Sequence, residues 1–149
     1  MARGERLIAI SDCVHHYILD NYDVDPAVIT RIYRGLDPSA FNANACTRQW
    51  REQLLADYPQ LADLNVILMP GRLSRWKGQE DFLHMMAKLV TLEPACHGVV
   101  VGAAEPDKAH YLEELLALRD QLGLADRVTF VGHRSDIQAF YGLAAVTCH

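Results

Sequence analysis

Asn65-Val66-Ile67-Leu68-Met69-Pro70-Gly71-Arg72-Leu73-Ser74-Arg75-Trp76-Lys77-Gly78 is the stretch that decides the fold of this chain. Val66 to Met69 is an unbroken apolar run, the pattern of a strand buried on both faces, and Pro70-Gly71 ends it. From about Gly78 to Thr91, Phe82, Leu83, Met86, Leu89 and Val90 recur at spacings of three, four and seven, so one face of an amphipathic helix is apolar. The unit then repeats. Gly98 to Gly102 reads as a strand, Asp107 to Leu122 as a helix, and Arg127 to Val131 as a strand followed by Gly132. Ser135-Asp136 is placed to cap a helix through Tyr141, and Ala144 to Thr147 opens a fourth strand. Buried strands alternating with helices predict an α/β architecture: a Rossmann-like parallel sheet with helices on both faces. In such sheets ligands bind beyond the carboxyl ends of the strands, which directs attention to the loops there.

The first third reads more loosely. Leu7 to Ile10 is a short apolar run, Ser11 and Asp12 are good helix caps, and Val14 to Tyr22 reads as a helix. Val28 to Tyr33 reads as a strand that Gly35 stops, and Asp37-Pro38-Ser39 is a turn or linker signal. Thr47 can cap a helix to about Tyr58 with Trp50, Leu54 and Leu55 on one face, and Pro59 stands just past its end. The 149 residues are half hydrophobic and 22% charged, an ordinary globular composition. A net charge of −5 argues against a general nucleic-acid binder. No run approaches the length of a transmembrane helix, and no signal peptide is visible. Cys13, Cys46, Cys96 and Cys148 lie far apart without a CxxC, so reduced, buried thiols in a cytosolic protein are expected, with no zinc site.

Three loops follow the strands of the second half, and each begins with glycine. In the first, Gly71 to Gly78, three cations (Arg72, Arg75 and Lys77) lie within six residues of an acidic protein. They stand before a helix whose free N–H groups already favour anions, a combination suited to a diphosphate. The string is neither a Walker loop nor a GxGxxG fingerprint, and a solvated basic loop is the competing reading. Gly102-Ala103-Ala104 and Gly132-His133-Arg134 would let a ligand approach the backbone closely.

Several strings together resemble retaining glycosyltransferases of family 4, which have the GT-B fold. They are Pro70-Gly71-Arg72-Leu73-Ser74-Arg75-Trp76-Lys77-Gly78-Gln79, Val101-Gly102, Leu122-Gly123-Leu124 through Arg127 to Gly132, and Ser135-Asp136-Ile137 to Ala145-Val146. Ile8-Ala9-Ile10-Ser11 and Ile32-Tyr33-Arg34-Gly35-Leu36-Asp37 match the same family just before its interdomain linker. The resemblance implies that residues 1–41 are the end of an N-terminal acceptor domain with its linker, a strand–helix–strand remnant. It implies that residues 42–149 are an incomplete C-terminal domain that binds a nucleotide sugar. It assigns Arg72 and Lys77 to catalysis, as the basic pair that neutralises the leaving diphosphate. It assigns Gly71, Arg72, Lys77, Gly102, Gly132, His133 and Arg134 to substrate binding, the last three framing the nucleobase. No metal and no cofactor are expected. The acceptor would be a sugar or a lipid-linked sugar. The Arg75-Trp76-Lys77-Gly78 form resembles members that build lipopolysaccharide and other surface polysaccharides. The intact enzyme would then be cytoplasmic and peripheral to the inner face of the membrane.

Two departures matter. The family's glutamate pair, seven residues apart, would follow the last strand and lies beyond His149, and its acceptor-binding half would precede Met1. The isolated chain is therefore expected to be inactive, and a non-catalytic nucleotide-binding or interaction module is the alternative. Unpaired strand edges in the first third could pair with a second copy. His15-His16, His84, His97 and His110 read as solvated or packed, and Glu113-Glu114 as a solvated helix face. Arg75 reads as solvated and Trp76 as packed on the sheet edge.

Overall fold

The computed structural model describes residues 4–149, which divide into two compact units, one ending at Asp37 and the other running from Pro38 to His149.

In the first unit, β1 (Leu7–Ala9) and β2 (Ile29–Arg31) pair in parallel, with Leu7 opposite Ile29 and Ala9 opposite Arg31, and α1 (Asp12–Asn21) connects them. Ser11 caps α1 by accepting from the Val14 amide at 3.1 Å. Both strands are shorter than their apolar runs; β2 starts only at Ile29 because Val28 belongs to a 3-10 turn begun by Pro26. Asp12 pairs with Arg31 and accepts from the Tyr33 hydroxyl at 2.8 Å; that hydroxyl, ahead of the nearby arginine, holds the carboxyl below its ordinary range. Ala9 is the only buried residue described here. A two-stranded sheet with so small a core is marginal by itself.

The second unit is a parallel sheet in the order β5-β4-β3-β6. Its strands are β3 (Asn65–Pro70), β4 (Cys96–Val101), β5 (Val128–Phe130) and β6 (Val146–Thr147). The helices are α2 (Arg48–Asp57), α3 (Gln79–Leu92), α4 (His110–Gln121) and α5 (Ile137–Leu143). Alternation along β3 splits the core in two. Ile67 and Met69 pack with Phe82, Leu83 and Met86 of α3 and Tyr111 and Leu115 of α4. Val66 and Leu68 pack with Leu54 of α2 and Phe140 of α5. Covering both faces is what an apolar run without alternation requires.

Three local readings are corrected. The helix expected from Asp107 begins at His110, because Pro106 opens a separate 3-10 turn through Lys108. Asp136 stands at the N-cap of α5 but makes no cap bond, its carboxylate being engaged elsewhere. Of the four cysteines only Cys96 is buried; Cys13 is exposed, and Cys46 and Cys148 are half-buried. No helix among the described residues is long and apolar enough to cross a membrane.

Candidate functional site

The loops after β3, β4 and β5 are zipped together beyond the strands. Gly71 N–H donates to Val101 O at 2.8 Å, Leu73 N–H to Ala103 O at 3.1 Å, and Gly102 N–H to Gly132 O at 2.8 Å. The zipper brings backbones too close for side chains. A Cβ on Gly102 would stand 1.9 Å from Gly71 O, and Gly102 has φ +154°, which L side chains rarely adopt.

Between the loops opens a cavity of about 360 Å³ lined by Gly71, Arg72, Gly102, His133 and Arg134, with Pro70, Val101, Ala103 and Ile137 as its apolar wall. Five of the seven residues singled out by sequence thus meet in one cavity. Gly132 lies next door, in a cavity of about 440 Å³ that shares Gly102 and Ala103 and is otherwise walled by Tyr58 and by small and apolar side chains such as Ala104, Leu112 and Phe130. Lys77 lines neither: its ammonium stands 4.6 Å from the centre of the Trp76 ring. Trp76 is not packed on the sheet edge but 74% exposed, because the 3-10 turn Arg75–Lys77 lifts it off the core.

Electrostatics assign different tasks to the two arginines. Arg72 pairs with Glu105, whose other oxygen accepts from Lys108 at 2.6 Å. Lys108 first, then Arg72, hold the Glu105 carboxyl below its ordinary range. The Arg72 guanidinium is half-exposed, so an incoming anion can exchange for Glu105. Arg134 is committed. It donates twice to Asp136, from Nε at 2.9 Å and Nη2 at 2.8 Å, and lies 5.4 Å over the Phe140 ring. Asp136 also accepts from the Trp50 indole at 2.6 Å, and it is pulled down to about 2, chiefly by Arg134. Trp50 meets Phe140 edge-on, with ring centres 5.0 Å apart. Arg134 therefore braces the β5–α5 loop against α2, and its charge is already balanced.

Sequence reasoning missed four contributors. Gln79 is fully buried; its Nε2 donates to Arg72 O at 3.1 Å and its Oε1 accepts from Ser74 N–H at 3.4 Å, tying the cationic loop to α3. A glutamine after a glycine at a helix start reads as a solvated residue, so nothing flagged it. Glu105, Asp136 and Trp50 have partners 33 and 86 residues away, or in a loop read as a cap, beyond any local pattern. Arg75, read as solvated, bridges Glu114 at 2.5 Å and Glu80 at 3.4 Å, so Glu114 is not merely a solvated face. His97 is packed, as expected: it is fully buried and its Nε2 lies 2.8 Å from the Thr129 hydroxyl. Among the described residues no three His, Cys, Asp or Glu side chains are grouped to hold a metal ion.

The family profile described as glycosyl transferases group 1 matches residues 51–149. The chain belongs to the group 1 glycosyl transferases. This glycosyltransferase chain is 27% identical over 153 aligned residues to a D-inositol 3-phosphate glycosyltransferase of Thermobifida fusca, covering 99% of its own length and 34% of the relative's. Its fold matches a Rickettsia africae glycosyltransferase with TM-score 0.78, 25% identity, and coverage of 97% of this chain and 38% of the other. It matches Anabaena HepE, crystallised in complex with UDP and glucose, with TM-score 0.77 and 27% identity over 98% of this chain and 38% of the other. The architecture is that of GT-B glycosyltransferases, and the chain spans about a third of the length of the relatives it matches.

Proposed function

We propose that this chain is the donor-binding portion of a retaining, family 4 glycosyltransferase. In this reading residues 42–149 bind a nucleoside-diphosphate sugar, and residues 1–41 are the end of the acceptor domain and the linker. The sugar passes to a hydroxyl acceptor, a sugar or lipid-linked sugar, in surface polysaccharide or lipopolysaccharide synthesis. The observation that carries the reading is the cavity at the sheet's carboxyl edge, where an exchangeable arginine, Arg72, faces a backbone bared by Gly71 and Gly102. The UDP complex of the similar Anabaena protein supports it.

The diphosphate displaces Glu105 from Arg72 and takes its place. As the glycosidic bond breaks, negative charge grows on the leaving phosphate, and a fixed guanidinium in a partly desolvated cavity stabilises that charge more than it stabilises the intact donor. Lys77 joins by swinging from the Trp76 ring on its flexible four-carbon stem. The nucleobase lies in the neighbouring apolar cavity between Gly102-Ala103-Ala104 and Gly132, where backbone groups read its edge. His133 lines the donor cavity next to Gly132, and Arg134 holds that loop in place through Asp136. No metal is assigned to the step, since the cations supply the charge. The protein works in the cytoplasm, at the inner face of the membrane.

The exposed Ile8, Ile32 and Leu36 of the first unit are surface for further strands or a second copy of the chain. Light scattering tests the second case: a strictly monomeric chain rules it out.

Titration with UDP tests the donor reading. Binding is expected to weaken at least tenfold in Arg72→Ala and measurably in Lys77→Ala. Affinity unchanged in both removes the diphosphate assignment.

A further inference from the structure

A further cavity, of about 370 Å³, opens on the other side of the zipped loops, toward α4. The Leu73–Ala103 backbone bond separates it from the donor cavity, which faces α5. Its size falls in the range of small-ligand sites. Leu73 forms its apolar floor, and Ser74, Arg75, Trp76 and Tyr111 supply its chemistry.

Three features there are unexplained by the donor reading. The Tyr111 hydroxyl belongs to a side chain only 3% exposed, yet no partner meets it in ordinary hydrogen-bond geometry; burial first, then the nearby Glu80 carboxylate, push it up to about 12. The Ser74 hydroxyl oxygen is equally buried and unbonded. Buried polar atoms are seldom left so, and an unbonded one asks for a ligand or water. Trp76, on the rim, keeps about three-quarters of its surface in solvent although Lys77 covers part of one face.

The surrounding charges select the ligand. Arg75 is shared between Glu114 and Glu80, and Lys108 is held by Glu105. The two cations that line the cavity, Arg75 and Lys108, are matched by carboxylates, so its wall lacks the excess positive charge that a phosphate or an anionic lipid surface requires. Matched guanidinium and carboxylate groups suit a ligand whose hydroxyls both donate and accept, and an exposed indole suits a ligand with a flat C–H face. We propose that this cavity binds a neutral hexose unit of a carbohydrate, stacked on Trp76 and hydrogen-bonded by the Ser74 and Tyr111 hydroxyls. The sugar's role as part of the acceptor rests on the transfer reading above; its binding does not.

Two tryptophans make the test direct. The Trp50 indole N–H is bound to Asp136, so the two indole signals report separate places. The whole chain, labelled with 15N, is titrated with maltotriose, cellotriose and mannotriose, and separately with UDP and with inorganic phosphate. At least one trisaccharide is expected to move the Trp76 indole saturably and leave that of Trp50 in place. Trp76→Ala should weaken binding about tenfold. Tyr111→Phe should weaken it about fivefold while the melting temperature stays level or rises, because the lost hydroxyl had no partner in the free protein. A role confined to packing would leave sugar affinity unchanged in Tyr111→Phe and overturn the proposal. So would a Trp76 indole that no trisaccharide moves, or one that phosphate or UDP moves in competition with the sugar. Trisaccharide binding in a chain whose Gly71 and Gly102 amides ignore UDP would uphold this site while removing the donor reading.

Discussion

Gly71 and Gly102 share φ +154° but not their surroundings, and that contrast isolates what the zipped loops contribute. An added Cβ on Gly71 meets nothing within 4 Å, so Gly71→Ala carries only the backbone strain, about 1–3 kcal/mol. On Gly102 the same methyl would sit 1.9 Å from Gly71 O and 2.7 Å from its carbonyl carbon. Reaching ordinary contact requires the two backbones to part by about 1.5 Å. That separation breaks the 2.8 Å bond from Gly71 N–H to Val101 O and loosens the bond from Leu73 N–H to Ala103 O, each worth about 1 kcal/mol net. Gly102→Ala should therefore cost roughly 3–5 kcal/mol, a large part of the ~5–15 kcal/mol that holds a domain together. It also displaces Arg72, the next residue after Gly71, from its place in the cavity. Urea unfolding followed by circular dichroism measures the first effect and calorimetric titration with UDP the second. If Gly102→Ala proves no less stable than Gly71→Ala, the close approach of the loops is not what the structure shows, and the reasoning fails.

Three further outcomes are expected. Glu105→Gln should tighten UDP binding roughly threefold to tenfold at low salt, and less at high salt, because the diphosphate no longer competes with a carboxylate for Arg72; weaker binding would show that Glu105 positions the arginine rather than masking it. Asp136 titrates near 2 in the folded chain against an ordinary 3.8, so its contribution is whole above pH 3.8 and disappears as pH falls through about 2; Asp136→Asn should cost about 1–2 kcal/mol at pH 7, after discounting for partial exposure, and little at pH 2 by chemical denaturation. Burial pushes His97 down to about 4 from 6.5, so the folded chain holds it neutral; stability is full above pH 6.5 and declines by up to about 3 kcal/mol as pH falls toward 4, and a His97→Leu variant whose melting profile keeps that slope would assign the loss to another group.

The cationic loop shows where local pattern suffices and where it stops. A strand such as Val66–Met69, apolar without alternation, admits only a site covered on both faces, and the helix periodicity from Phe82 to Val90 supplies one cover. Order along the chain then places the loops at one edge of a parallel sheet. So the architecture, the position of the site and the candidacy of Gly71, Arg72, Gly102, His133 and Arg134 were legible from residue types and spacing together with the family resemblance.

The division of labour among those residues was not. Arg72 and Arg134 look alike in sequence, but one faces an exchangeable carboxylate half-exposed and the other is forked onto Asp136, which Trp50 holds from 86 residues away. Lys77 is kept from the cavity by a turn that also exposes Trp76, and Gln79 is buried under a loop it ties down. Sequence determined which chemistry gathers at the sheet edge, because burial and periodicity are properties of neighbouring residues. Which charge is free to meet a ligand was decided only by tertiary structure, because a charge is balanced by whatever folding brings within a few ångströms of it.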